Sequence, residues 1–357
     1  MLVEDSLVVR ECLKHIIGED PRLEVAFVAA SAEEALANLA AVAPDVISLD
    51  IRLPGINGLD ATLKIMAERP TPIVVIASDV KADDLNVSMN ALRAGALAVL
   101  EKPVGSSHKD FALIAKRICD QLYSMSSVKV VKQRFARQLD FSSPAAKATM
   151  AGFPVKPAPR VWQPDQFLML GLVASTGGPN ALLQVLQALP ADFPLPITLV
   201  QHITASFLAS FGTWLQDLTP FKVVIAKGDE QPKAGTIYMA PEDHHLEVRP
   251  GGLRISKAPQ VSAQRPSGTI LLQSIAQTYG RGAIGAVLTG MGDDGALGLL
   301  EMRKAGAYTI GEDESTCVVY GMPAVAARLG GVCDALPLPE IGPAILGKVS
   351  KAKEAHA

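Results

Sequence analysis

Three stretches in the second half of the chain carry residue types that together perform acyl transfer. In GLVASTGGPNALLQVLQAL, Ser175 stands where an apolar strand pattern gives way to a Ser-Thr-Gly-Gly turn and an amphipathic helix. A hydroxyl there has amide N–H groups and a helix dipole beside it, which suits a nucleophile whose target oxygen turns negative. The same turn would equally cap a helix or cradle phosphate, and it lacks the G-x-S-x-G spacing of the α/β-hydrolase elbow. In LVQHITASF, His202 ends another apolar run. In a parallel sheet it opens on the same edge as Ser175, with Nε2 placed to accept the serine proton. In LTGMGDDGA, Asp293 or Asp294 supplies the carboxylate that orients the His202 Nδ1–H, leaving loop amides near Met291 for an oxyanion. The chain order Ser, His, Asp differs from the three familiar orders of serine hydrolases, which implies the same geometry from separate ancestry.

One rival reading uses the same loop. Gly290-x-Gly292-x-x-Gly295 fits a dinucleotide fingerprint between a strand and a helix, with Glu312 near the position of the ribose-binding acid. That reading makes the protein a nucleotide-dependent oxidoreductase. Against it, Asp293 and Asp294 put carboxylates where a pyrophosphate must approach amide donors.

The first half carries a different chemistry. Open parallel sheets place functional groups beyond the carboxyl ends of their strands. Leu2-Val3 leads into Glu4-Asp5, Val46–Leu49 into Asp50, and Ala96–Leu100 through Glu101 into Lys102-Pro103. Converging carboxylates repel one another unless a cation sits among them, and a hard divalent ion such as Mg²⁺ meets that need. Asp50 is then placed to attack a phosphoryl donor and form an acyl phosphate, with Lys102 pairing with its oxygens. Taken singly, each of these charges reads as a solvated strand end.

The elements that must position these groups alternate strand and helix in both halves. Val25–Ala29, Val46–Leu49, Ile73–Ala77 and Ala96–Leu100 read as buried strands, with helical patterns over Ala32–Ala43, Leu85–Ala94 and Phe111–Tyr123. From Phe167 the rhythm resumes through ITLVQHI, SFLASFGTWL, AIGAVLT, ALGLLEMRKAGA and YTIGE. This predicts α/β architecture, with parallel sheets covered by helices on both faces. Between the halves, prolines, serines and the basic residues Lys129, Lys132, Arg134 and Arg137 read as a linker, with one short helix near Val128–Leu139. The predicted units are 1–122, a linker over 123–166, and 167–350.

Composition narrows the classes. The 357 residues are 49% hydrophobic and carry 33 basic against 36 acidic residues, which excludes disorder and a strongly basic nucleic-acid binder. No apolar run reaches membrane-span length, the acidic N-terminus is unlike a signal peptide, and four scattered cysteines form no CxxC pair. A soluble, cytoplasmic chain is expected.

Residues 1–122, through VEDS, LDIRLPGINGLD and AGALAVLEKP, resemble the receiver domain of bacterial response regulators. The resemblance implies a flavodoxin-like fold, Asp50 as phosphoacceptor, Glu4 and Asp5 with Asp50 as Mg²⁺ ligands, and Lys102 as phosphate partner. Two positions depart from it: Ala77 falls where a hydroxyl is expected, and Val99 where an aromatic switch residue is expected. The chain also begins close before Glu4, so the first strand is expected to be abnormally short, with backbone groups unpaired and the start truncated.

Residues 167–348 resemble the catalytic domain of the chemotaxis protein-glutamate methylesterase/glutamine deamidase family, through ASTGGP, QH, MAPEDHH, QRPS, LTGMGDDGA and CVVYGMP. The resemblance implies a doubly wound, mainly parallel α/β domain. It selects Asp294 as the triad acid, Ser175 as nucleophile and His202 as base. It also assigns the backbone N–H groups of Thr176 and Met291 to the oxyanion. Gln264, Thr269 and Thr204 depart from the family pattern, which suggests a divergent branch serving a particular receptor set or a non-motility pathway. The implied reaction is hydrolysis of glutamyl γ-methyl esters on methyl-accepting chemoreceptors, with glutamine deamidation by the same route. A chemotaxis histidine kinase is the implied phosphodonor, and the esterase site needs no cofactor. The unphosphorylated receiver is expected to dock across the Ser175 face and to move away on phosphorylation. A non-catalytic receiver scaffold is the second alternative.

Overall fold

The computed structural model describes residues 1–77, 89–103, 111–128, 130 and 167–354. Two parallel sheets organise them. The first has the order β2-β1-β3-β4-β5: Val28–Ala29 (β2), Leu2–Val3 (β1), Ile47–Asp50 (β3), Ile73–Ala77 (β4) and Ala98–Glu101 (β5). Helices Leu7–Gly18 (α1), Ala32–Val42 (α2), Gly58–Glu68 (α3) and Phe111–Ser126 (α4) accompany it. The order 2-1-3-4-5 turns back between β1 and β3, the crevice where open sheets bind ligands, and this is where Glu4, Asp5 and Asp50 emerge. The apolar run Ile73–Ala77 is buried along its whole length, as a strand covered on both faces must be. Helix starts follow local chemistry: Ser31 accepts from the Glu34 N–H and Asn57 from the Asp60 N–H.

The first strand is short, as expected, but its ladder closes. The Met1 amine donates to Val46 O at 2.9 Å, Ser48 N–H to Met1 O, and Leu2 N–H to Phe27 O. The expectation of unpaired backbone is therefore not met at these groups. Burial pushes the Met1 amine down to about 6. Its neighbour β2 pairs only at Val28–Ala29, because a two-residue strand has nothing further to offer the predicted Val25–Ala29. The closing helix runs on to Ser126, past the predicted boundary at 122, and this carries Ser124 toward the second half. Most of the predicted helix near Val128–Leu139 and most of the linker fall outside the described residues, as do residues 85–88 of the predicted helix Leu85–Ala94; 89–93 are helical.

The second sheet has seven parallel strands in the order β14-β13-β12-β6-β7-β9-β8. Met169–Ala174 (β6) is central, flanked by Ile197–Gln201 (β7) and Ala283–Val287 (β12). Beyond β7 lie Thr236–Met239 (β9) and Lys222–Ile225 (β8); beyond β12 lie Tyr308–Glu312 (β13) and Asp334–Leu336 (β14). The chain winds outward from β6 on one side and returns on the other, so β6 is the switch point. Helices Gly178–Gln187 (α5), Ala205–Leu218 (α6), Gly268–Tyr279 (α7), Ala296–Lys304 (α8), Met322–Arg328 (α9) and Leu338–Glu354 (α10) accompany the sheet, and an antiparallel hairpin, His245–Arg249 (β10) with Gly252–Ser256 (β11), packs against α7. Among the described residues no helix is long and apolar enough to cross a membrane.

Helix α7 sits directly on the central strand. A methyl at Gly171 of β6 would come 2.6 Å from Ile275 Cδ1 and 2.9 Å from Leu272 Cδ2. Gly171→Ala is therefore expected to lower stability by about 1–3 kcal/mol through overpacking. A denaturation midpoint moved downward with an unchanged slope checks this.

Candidate active site

At the switch point of the first sheet, ligand oxygens of Glu4, Asp5 and Asp50 lie within 4.8 Å of one another. Glu4 and Asp50 are buried, whereas Asp5 is exposed. Lys102 follows β5 and its Nζ donates to Asp50 Oδ2 at 2.7 Å and to Glu4 Oε2 at 2.9 Å. One ammonium thus bonds two of three converging carboxylates. Burial, then the Asp50 charge, pushes the Glu4 carboxyl up, and burial pushes Asp50 up, each partly offset by Lys102. Burial opposes the Lys102 ammonium, but its bonds to Asp50 and Glu4 outweigh that and hold its pKa up. The surplus negative charge and the all-oxygen donor set fit a hard divalent cation. Ala77, at the end of β4, is buried, accepts the Lys102 N–H through its backbone and offers no hydroxyl.

On the second sheet, Ser175, His202 and Thr289 follow β6, β7 and β12 on one edge. Two residues after Ser175 comes Gly177, whose φ of 77° is left-handed. A methyl there would also come 2.6 Å from Val318 Cβ, so the turn into α5 needs glycine twice over. Gln201 secures the strand ends: its Nε2 donates to Ser175 O at 2.8 Å and to His202 O at 3.0 Å.

His202 Nε2 lies 2.9 Å from Asp294 Oδ2. This reverses the expected ring orientation. With Nε2 on the aspartate, Nδ1 is the nitrogen left for Ser175, and the imidazole is held as the Nε2–H tautomer. The reason lies in where Asp294 is fixed. Its Oδ1 accepts from Ser267 Oγ at 2.6 Å and the Thr269 N–H at 3.0 Å, and its Oδ2 accepts from the Gly268 N–H at 2.6 Å. The carboxylate caps the N-terminus of α7, where orphan amides and the dipole favour a negative charge. Burial alone would raise its pKa; the His202 bond and charge, Ser267 and Thr269 outweigh that and hold it at about 2. Asp294 is 2% exposed, whereas Asp293 is exposed.

Behind the cap stands His245, fully buried. Its Nδ1 accepts the Ser267 N–H at 3.1 Å while Nε2 lies 3.1 Å from Pro259 O. The Thr176 and Met291 N–H groups make no hydrogen bond among the described residues. They flank Ser175 from the β6 turn and the β12 loop. Glu312, the acid of the dinucleotide reading, is 1% exposed and accepts the Thr289 N–H, so it cannot reach a ribose.

A cavity of about 180 Å³ covers this edge, lined by Ser175, His202 and Gln264 on one side and by Val99 and Gln121 of the first domain on the other. Gln121 Nε2 approaches Thr176 Oγ1 at 3.4 Å, Ser124 Oγ donates to Met291 Sδ at 3.1 Å, and Asn180 Nδ2 donates to Leu92 O at 2.6 Å.

The structure brings together Ser175, Thr176, His202, Met291 and Asp294 in one place and Glu4, Asp5, Asp50 and Lys102 in another. Sequence reasoning did not assign roles to Ser267, Gly268, Gln201 or His245. Ser267 before the apolar run GTILLQSIA carried a helix-start signal, but nothing local said that a carboxylate from residue 294 would sit on that helix.

Comparison with known proteins agrees with this layout. Residues 170–345 match the CheB methylesterase family and residues 1–110 the response regulator receiver domain. The protein-glutamate methylesterase/protein-glutamine glutaminase 2 of Paramagnetospirillum magneticum is 56% identical over 341 residues, covering 96% of this chain and 94% of the relative. The corresponding Nitrosospira multiformis protein is 39% identical over 355 residues, covering 99% and 98%. The crystal structure of the Thermotoga maritima CheB methylesterase catalytic domain superposes with a TM-score of 0.50 at 32% identity, covering 51% of this chain and 98% of that one. With both domains matched in order and nearly full-length relatives of this similarity, the chain belongs to the receiver-linked CheB methylesterase family.

Proposed function

We propose that the chain is a serine hydrolase that removes methyl groups from glutamyl γ-methyl esters of methyl-accepting chemoreceptors, deamidates glutamines by the same route, and serves chemotaxis adaptation. The observation that carries this is the buried, donor-saturated Asp294 holding His202 beside Ser175, with two amides alongside that have no partner among the described residues. His202 Nδ1 takes the Ser175 proton as Oγ attacks the ester carbonyl. The tetrahedral oxyanion lies against the Thr176 and Met291 N–H groups, and methanol leaves with the proton returned by His202. Water, deprotonated by His202, then cleaves the glutamyl-serine ester and restores the free acid and the serine. Glutamine follows the same path with ammonia as leaving group. Asp294 stays ionised throughout and stabilises the imidazolium.

The receiver supplies control. Glu4, Asp5 and Asp50 would hold Mg²⁺, which when bound neutralises charge on the incoming phosphoryl oxygens. Asp50 attacks the phosphoryl group of a chemotaxis histidine kinase, and Lys102 pairs with the new phosphate oxygens. In the unphosphorylated state the receiver covers the Ser175 cavity, with Gln121 and Ser124 touching the side chains of Thr176 and Met291. Phosphorylation moves it away.

Ser175→Ala is expected to cut methanol release from a methylated receptor fragment by roughly 10⁴-fold or more; retained turnover refutes the assignment. Acetyl phosphate with Mg²⁺ is expected to raise the rate of the wild type and not of Asp50→Ala. Equal rates in all four conditions would remove regulation through Asp50.

The Asp294 carboxyl, depressed to about 2, stabilises the fold at neutral pH and loses that contribution as pH falls from about 4 through 2. Asp294→Asn is expected to be less stable than the wild type by on the order of 2 kcal/mol at pH 7. The gap between the two should close below pH 4 in paired denaturant titrations, and a gap constant to pH 2 contradicts the assignment.

A further inference from the structure

Thr289 lies just past the end of β12, is 1% exposed, and takes no part in the chemistry above. Three of its atoms reach the Ser175 turn or its supports. Its carbonyl accepts the Ser175 N–H at 3.0 Å. Its hydroxyl donates to Thr176 O at 2.9 Å and accepts the Val319 N–H at 2.9 Å. The longer 3.4 Å approach of the same hydroxyl to Val319 O competes for one proton and loses to the shorter bond. Its own N–H donates to Glu312 Oε2 at 2.8 Å.

Glu312 is anchored in turn. It ends β13, and its Oε1 accepts from Thr316 Oγ1 at 3.1 Å, while Thr316 Oγ1 accepts the Leu338 N–H at 3.0 Å. This carboxyl meets hydrogen-bond donors rather than a cation, and burial pushes its pKa up. It acts as an acceptor tying three chain segments together.

The two oxyanion donors come from different strands: Thr176 from the β6 turn, Met291 from the β12 loop. Two separately hinged amides stabilise an oxyanion only when both aim at one point, and errors near 1 Å cost about 10²-fold. Thr289 is bonded to both residues of the first arm, Ser175 and Thr176, and lies two residues before Met291 on the second. We propose that Thr289, fixed by Glu312, is a positioning residue that holds the two oxyanion donors in register. The inference rests on the hydrolase reading above.

The test is methanol release by the full chain, activated equally with acetyl phosphate and Mg²⁺, from a methylated receptor fragment. Thr289→Val keeps shape and volume and removes the hydroxyl. It is expected to lower kcat about 10- to 100-fold with KM changed less than about twofold. Thr289→Ser restores the hydroxyl and is expected to recover kcat to within about threefold. Glu312→Leu removes the anchor and should reproduce the kcat loss, whereas Glu312→Gln keeps an oxygen for the Thr289 N–H and should retain most activity. If Thr289→Val does not fold, the Glu312 pair decides. Wild-type kcat in Thr289→Val or Glu312→Leu overturns the proposal, as does a Thr289→Ser variant no better than the valine. Ser175→Ala run in parallel separates the two levels. If it keeps turnover, the hydrolase reading falls and takes this inference with it; if it is dead while Thr289→Val runs at wild-type kcat, only the positioning role falls.

Discussion

The bond between His202 and Asp294 depends on a buried charge that the fold has to accommodate before any chemistry occurs. An isolated carboxylate in an apolar interior is costly, so it either protonates or finds donors. Asp294 finds four, one from the histidine and three from the start of the helix Gly268–Tyr279. That helix must therefore lie with its N-terminus at the active edge, and Gly171 in the central strand lets it lie close enough. Ser267 is both the cap of the helix and a ligand of the aspartate, and His245 holds Ser267 from behind. The ring orientation of His202 follows: the aspartate is fixed by the helix, so the imidazole turns Nε2 toward it and leaves Nδ1 for the serine.

The two halves solve a similar problem by different means. In the receiver, three carboxylates converge with one ammonium bonded to two of them, and the excess negative charge fits a metal ion. In the hydrolase, one carboxylate is saturated by neutral donors and one imidazole, which holds it ionised at neutral pH. The first arrangement is under-neutralised and suits a site that takes up ligands of changing charge. The second is closed, as a permanent orienting group requires.

Much of this was legible in the sequence because strand ends are local events. An apolar run that stops at Ser175, His202, Asp50 or Lys102 marks a carboxyl-end position without knowledge of strand order, and parallel topology then places such ends on one edge. What stayed hidden involves partners far apart in the chain. The Asp294–Ser267 bond spans 27 positions and Thr289–Thr176 spans 113. No periodicity encodes either. Glu312 shows the converse hazard: its spacing from a glycine-rich loop suggested ribose binding, and only its burial beneath Thr289 excludes that role. The ring orientation of His202 is hidden for a related reason, since it depends on which side of the ring the capped helix occupies.

Ala77 and Val99 raise the question of how a receiver without the usual hydroxyl and aromatic could pass a signal to the covered site. The described strand β5 supplies a short mechanical path. Lys102 bonds Asp50 and Glu4 through its side chain and Ala77 through its backbone, and Val99, three residues earlier, lines the Ser175 cavity. Under the proposed regulation, the residue that pairs with a phosphoryl group on Asp50 is thus joined by one short strand to a residue facing the covered cavity. The hydrogen bonds described across the cleft are neutral, an amide against a hydroxyl, a hydroxyl against a thioether and an amide against a carbonyl. Each contributes about 1 kcal/mol net. Val318 and Val319 pack against the receiver core, and Val319 N–H bonds the Thr289 hydroxyl. The segment that supports the Thr289 hydroxyl is thus also one the receiver packs against.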